Sequence, residues 1–242
     1  MHGTRGKRSA TEPERRPVMV PDAFFFDMDG LLLDSERVYA AVARDLLVPK
    51  GFTPAAVDAH FLTLIGVSGD AARQRIEMFL GPDFDLMWFE SAWHAEVDRR
   101  VAQAVPLRPT VRDSLARLVE QGARMAVVTS TSGRTARRHL DRAGLLSHFE
   151  VVIGGDEVRA RKPDPAPYLH AAAALNVDPT RCAAFEDSDS GITAAVGAGC
   201  IAVQVPDLRD PDQPLPDLGQ YVARDLWRAV ALVTGVSVGA VD

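Results

Sequence analysis

Three consecutive phenylalanines, Phe24 to Phe26, run directly into Asp27-Met28-Asp29-Gly30. A short run of large apolar residues that stops abruptly on charge reads as a strand buried on both faces, the kind found in the middle of a parallel sheet. Side chains at i and i+2 of an extended segment share a face, so Asp27 and Asp29 leave the strand end toward one point. Gly30 lets the chain turn sharply beyond them. Two carboxylates that close repel unless a cation or a shared proton offsets them, which is the logic of a divalent-metal site or an acid/base pair. Taken alone, Asp-x-Asp is equally compatible with a polar turn. A calcium loop does not fit, because it needs glycine at its sixth position and a helix before it, whereas Gly30 is fourth and a strand precedes.

Past Asp34 the apolar period changes from strand to helix, with Val38, Ala41, Val42 and Leu46 on one stripe. Helical patterning continues through Ala55 to Leu64, Asp70 to Leu80 and Phe84 to Val105, punctuated by Gly51, Pro54, Gly66, Gly69, Gly81 and Pro82. Residues 36–106 are therefore expected to form an all-helical insertion between core segments 21–35 and 107–242. The aromatics Phe84, Trp88, Phe89 and Trp93 have the spacing of a packed helix face. From Thr110 onward strand and helix alternate: helix Val111 to Gln121, strand Arg124 to Thr129, helix Arg134 to Ala143, strand Val151 to Ile153 and helix Pro165 to Leu175. Strand Cys182 to Phe185, helix Ile192 to Ala198, strand Ile201 to Val205 and a closing helix Tyr221 to Val233 complete the series. Such alternation implies right-handed crossovers and a doubly wound, Rossmann-like parallel sheet.

In sheets of this kind ligands gather at the carboxyl ends of the strands. Thr129-Ser130-Thr131-Ser132-Gly133 follows one expected strand and precedes a helix, where hydroxyls and main-chain N–H groups can cradle a phosphate or simply cap the helix. Lys162-Pro163-Asp164-Pro165 follows another, with Asp164 and Pro165 suited to a helix start. Glu186-Asp187-Ser188-Asp189-Ser190-Gly191-Ile192 follows a third and, with Asp27, makes an oxygen-rich set of the kind Mg²⁺ prefers.

These four segments, in this order, resemble the motifs of the haloacid dehalogenase-like (HAD) hydrolases. The form Phe-Asp-Met-Asp-Gly-Leu-Leu-Leu-Asp-Ser-Glu is similar to the subgroup of sugar-phosphate phosphatases and beta-phosphoglucomutase. The resemblance implies an α/β core with a helical cap and a phosphoric monoester hydrolase working through an aspartyl-phosphate. It makes Asp27 the nucleophile, Asp29 the general acid/base, Thr129, Ser130 and Lys162 the holders of the phosphoryl oxygens, and Lys162 the counter-charge of the nucleophile. Asp27, Asp29 (through its carbonyl), Glu186 and Asp187 are the implied Mg²⁺ ligands. Where the mutase carries a histidine shortly after its first motif, this chain has Tyr39, and Leu64-Ile65-Gly66-Val67-Ser68-Gly69 lacks the mutase's cap-loop lysine and arginine. A phosphotransferase and a non-catalytic binding module are the alternatives. Arg37, Tyr39, Arg73, Arg75 and His94 fall on the expected cap, where a solvated face is the plainer reading.

Composition narrows the partners. A formal charge of −6 and pI near 5.5 argue against a basic nucleic-acid face, and no apolar run reaches the length of a membrane span. Two cysteines, Cys182 and Cys200, make no disulfide framework and fit a reducing cytoplasm. The polar stretch 1–20 reads as a disordered basic tail without the apolar core of a signal peptide. The expectation is a cytoplasmic monomer acting on a small phosphomonoester.

Overall fold

The computed structural model describes residues 20–65, 67, 70–103, 106–209 and 214–236. The expected tail up to Met19, the end of the fourth cap helix at Val105, and Gly66, Ser68 and Gly69 lie outside the described residues. In chain order the elements are β1 (Ala23–Phe26), α1 (Ser35–Leu47), α2 (Pro54–Leu62), α3 (Asp70–Leu80), α4 (Leu86–Gln103), α5 (Val111–Glu120), β2 (Met125–Val128) and α6 (Gly133–Arg142). They continue with β3 (Val151–Ile153), α7 (Ala166–Leu175), β4 (Cys182–Glu186), α8 (Asp189–Gly197), β5 (Ile201–Gln204), β6 (Tyr221–Val222) and α9 (Leu226–Thr234). The six strands form one sheet in the order β3-β2-β1-β4-β5-β6, and each neighbouring pair is parallel.

Strand alternation divides the core. Phe24 and Phe26 point to one face with Val127, Phe185, Leu115, Leu118 and Val230. Phe25 points to the other with Ala126, Val128, Tyr168, Ala171 and Ile192. Burying each of these phenylalanines contributes roughly 1.5–3 kcal/mol, so the central strand is the most strongly specified piece of the sheet. Helix ends are set by local chemistry. Ser188 accepts from the Gly191 N–H and starts α8 at Asp189, three residues before the Ile192 expected from apolar spacing. Asn176, in left-handed conformation at φ 52°, ends α7.

The closing helix needs correction. Tyr221 and Val222 pair with Val203 and Gln204 as a sixth parallel strand, and α9 begins only after Asp225 accepts from the Arg228 N–H. An exposed aromatic and a β-branched residue at a sheet edge satisfy their backbone in the ladder. The capping aspartate then restarts the chain as helix.

Helices α1 to α4 follow one another with no named strand among the described residues between β1 and β2. They carry their own core, in which Leu47, Val57, Phe61, Ile76 and Phe89 meet. The chain leaves and re-enters the sheet layer at adjacent points, because Asp34 N–H donates to Pro106 O at 2.8 Å and Arg108 N–H to Leu32 O at 3.0 Å. Trp93 Nε1 donates to Tyr39 O at 3.0 Å and closes α4 onto α1.

Candidate active site

The strand order reverses beside β1, which runs on through β2 and β3 on one side and through β4 and β5 on the other. A crevice opens where loops diverge from such a switch point. Phe26 is in register with Phe185, and Asp27 N–H donates to Phe185 O at 3.0 Å. The residues next in each strand are therefore brought side by side. One carboxylate oxygen each from Asp27, Glu186 and Asp187 lies within 4.8 Å of the others, and all three residues are buried. The cis peptide Lys162-Pro163 precedes α7, and Lys162 Nζ donates to Asp27 Oδ1 at 2.6 Å and to Val128 O at 2.7 Å. It also pairs with Glu186 Oε1 at 2.5 Å. An ammonium has three hydrogens, so these partners saturate it. Lys162 is thereby fixed as the counter-charge of Asp27, and direct contact with a phosphoryl oxygen requires release of one of them.

One lysine does not balance three buried carboxylates. Burial pushes the Asp27 carboxyl up to about 8, with Lys162 opposing and Glu186 and Asp29 adding to the rise. Burial, then Asp27 and Glu36, raises Asp187 well above the ordinary carboxylate range. The Lys162 ammonium is also raised: burial disfavours its charge, but Asp27 and Glu186 outweigh that and hold it protonated. A close set of buried, hard oxygen donors with uncompensated negative charge is what a divalent cation neutralises. The residues fit the group. Two glycines leave room for these carboxylates: a Cβ on Gly30, at φ +84°, would collide with the Asp187 carboxylate, and one on Gly191 would collide with that of Glu186.

Asp29 stands apart from that set. Its Oδ1 accepts from Ser35 Oγ at 2.6 Å and its Oδ2 from Thr131 Oγ1 at 2.7 Å. Both oxygens are thus oriented by hydroxyls. Thr129 is buried, accepts from Thr131 N–H at 3.1 Å and reaches Asp29 Oδ2 at 3.4 Å. Ser130 lines the cavity beside it. The Gly133 N–H donates to Asp156 Oδ1 at 2.7 Å, so this N–H of the first turn of α6 is already spent.

Several residues of the site carry no motif signal. Tyr168 lies on the buried face of α7 and its hydroxyl donates to Glu186 Oε1; in the sequence it is one more large residue of an apolar helix. Glu36 lines the cavity with a buried Oε2 that has no hydrogen-bond partner among the described residues. Burial and the facing Asp29 and Asp27 push it up to about 8. Tyr39 is not the solvated residue its position suggested, since its ring meets Trp93 edge-on at 5.5 Å and lines the cavity. Arg37 lines the cavity as well, whereas Arg73, Arg75 and His94 are exposed and outside it. The cap aromatics are largely packing, with Phe89 fully buried, while Trp93 faces the cavity. That cavity, of about 590 Å³, lies between the helical segment and the strand ends.

A doubly wound α/β sheet that places a lysine-paired aspartate at its switch point, beside buried carboxylates able to hold a metal ion, is the arrangement of a hydrolytic enzyme. The family model for haloacid dehalogenase-like hydrolases matches residues 21–199, and the chain belongs to that family. It is 34% identical over 178 residues to a phosphorylated carbohydrates phosphatase of Thermotoga maritima, covering 74% of this chain and 82% of that one. It is 30% identical over 224 residues to hexitol phosphatase B of Escherichia coli, covering 84% and 96%. The crystal structure of CbbY from Rhodobacter sphaeroides in complex with phosphate superimposes with a TM-score of 0.71 at 25% identity, covering 89% of this chain and all of that one.

Proposed function

We propose that this protein is a Mg²⁺-dependent phosphatase that hydrolyses a small phosphomonoester through a phosphorylated Asp27. The observation that carries the reading is the contrast between two neighbouring carboxyl groups. Asp27 is buried against Lys162 and two further carboxylates, and Asp29 is held by two hydroxyls at the cavity wall. One is arranged to attack and the other to move protons.

Asp27, Glu186, Asp187 and the main-chain carbonyl of Asp29 would hold the Mg²⁺, whose charge offsets that of nucleophile and phosphoryl group together. Thr129 and Ser130 orient the phosphoryl oxygens, and Lys162, opposing the effect of burial, favours the ionised form of Asp27. Asp27 forms a bond to phosphorus as the bond to the leaving oxygen breaks, and Asp29 gives its proton to that oxygen. Asp29 then takes a proton from water, whose oxygen displaces Asp27 from phosphorus. Inorganic phosphate leaves, and Asp29 is protonated for the next turnover.

The segment 36–106 acts as a cap that excludes bulk water while the site is loaded. Hydrolysis is favoured over transfer to a second sugar by the residue at the mutase's histidine position. Burial pushes the Tyr39 phenol well above its ordinary range, so it does not exchange protons near neutrality. The relatives named for phosphorylated carbohydrates and hexitols support a sugar or polyol phosphate. No helix among the described residues is long and apolar enough to cross a membrane. The test is phosphate release from a panel of phosphomonoesters with Mg²⁺ and with chelator, with beta-glucose 1-phosphate scored for both phosphate and glucose 6-phosphate. Mg²⁺-dependent release supports the reading; isomerisation without release replaces it with a mutase.

A further inference from the structure

The cavity has a lopsided chemistry. Its lower wall is the acidic cluster, and its upper wall is apolar, built from Phe61, Leu64, Ile65, Ile76 and Trp93. Besides Lys162, the described residues lining it include only two cations, Arg37 and Arg44, and each is already matched. Arg37 binds both oxygens of Asp207 at 2.9 and 3.0 Å and Asp34 at 2.6 Å. Asp207 is itself nearly fully buried and shared with Arg108 at 2.7 Å. Arg44 binds both oxygens of Asp58, through Nε at 3.0 Å and through its terminal nitrogen. Turning either arginine toward a ligand breaks ion pairs it now makes: Arg37 gives up Asp34 and its share of the buried Asp207, which keeps only Arg108, and Arg44 gives up Asp58. Five carboxyl groups among the described residues line the same space, namely Asp27, Asp29, Glu36, Asp58 and Asp187. A divalent cation and one phosphoryl group leave no positive charge over for a second anion on the substrate.

We infer that this site selects monophosphate esters whose leaving group is uncharged and presents a nonpolar face to the helical wall, and discriminates against substrates bearing a second anion such as a carboxylate or another phosphate. The inference rests on the phosphatase reading and narrows its substrate class. A hexitol or other neutral polyol phosphate fits it through the carbon skeleton, and an aromatic or alkyl phosphate fits it equally.

The test compares kcat/KM of the full chain with Mg²⁺ on phosphoglycolate and on 2-hydroxyethyl phosphate, which share a two-carbon frame and differ in the carboxylate. The neutral ester is expected to lead by roughly tenfold or more, and benzyl phosphate is expected to match or exceed it. In Asp58→Asn, which frees Arg44, the ratio should shift toward phosphoglycolate by about threefold or more. Parity, a preference for phosphoglycolate, benzyl phosphate lagging well behind the hydroxyethyl ester, or an unmoved ratio in D58N overturns the inference while leaving the phosphatase standing. If none of these esters, nor any sugar or polyol phosphate, releases phosphate, the phosphatase reading falls and this inference with it.

Discussion

Replacing Lys162 by Met keeps the length of the side chain and removes the one cation that, among the described residues, pairs with Asp27 and Glu186. Its ammonium holds Asp27, Glu186 and the Val128 carbonyl, each within 2.7 Å. Removing one partner of a buried ion pair costs about 3–5 kcal/mol, because the stranded charge stays buried. That is a large share of the roughly 5–15 kcal/mol available to a folded domain. Lys162 also opposes the rise of the Asp27 carboxyl, so the variant should hold a proton on Asp27 to still higher pH. Its deficit against wild type is therefore smaller near pH 6 and larger near pH 8, as the bound proton becomes harder to keep. Urea unfolding followed by circular dichroism in chelator at both pH values measures this, and added Mg²⁺ should recover part of the deficit. Turnover should fall by about two to three orders of magnitude, the usual cost of losing a preorganised charge at a reacting group. A deficit below about 1 kcal/mol at both pH values, together with near-wild-type turnover, would refute the assignment of Lys162 as the counter-charge.

Three further outcomes follow from the same geometry. Tyr168→Phe removes one of the donors to Glu186 but leaves Lys162 on the same oxygen; it should lower unfolding stability by about 1–3 kcal/mol and weaken metal affinity, read by Mg²⁺ titration of activity. Thr131→Val leaves Asp29 with Ser35 as its main hydroxyl donor; kcat should fall by about tenfold or more and the pH profile should shift, with KM little changed. In chelator, burial holds protons on Asp27 and Glu36, each pushed up to about 8, that the unfolded chain has already released. The native state then binds more protons, so unfolding stability should fall as pH rises from about 4 to 8, and Mg²⁺ should flatten the slope. Stability that climbs over that range without metal would contradict the balance drawn for the cluster.

The sheet was legible because short apolar runs such as Phe24–Phe26 and Cys182–Phe185 end abruptly on charge, which marks both a strand and the end of it that matters. Asp27, Asp29, Thr129, Ser130, Lys162, Glu186 and Asp187 stand at strand ends or in the loops that follow them, and the structure brings them to one crevice. What the sequence hid depends on contacts between distant segments. Tyr168 looks like core until Glu186 is placed under it. Arg37 is exposed, as a solvated face residue should be, but its pairing with Asp207, 170 positions on, is not written in its neighbours. Ser35 and Thr131 look like helix-capping residues, since a hydroxyl's partner cannot be read from its neighbours in the chain. Tyr221 and Val222 join the sheet because β5 has a free edge there, which no local periodicity announces.

The central claim is that phosphate passes through Asp27. Acid quenching during turnover with Mg²⁺, followed by peptide mass spectrometry, tests it directly. The account predicts a phosphoryl group on the peptide containing Asp27, absent when substrate is withheld and absent in Asp27→Asn, which should remain folded by circular dichroism and release no phosphate. Undiminished phosphate release by the Asp27→Asn variant, or a phosphoryl group trapped on a different residue, would contradict it.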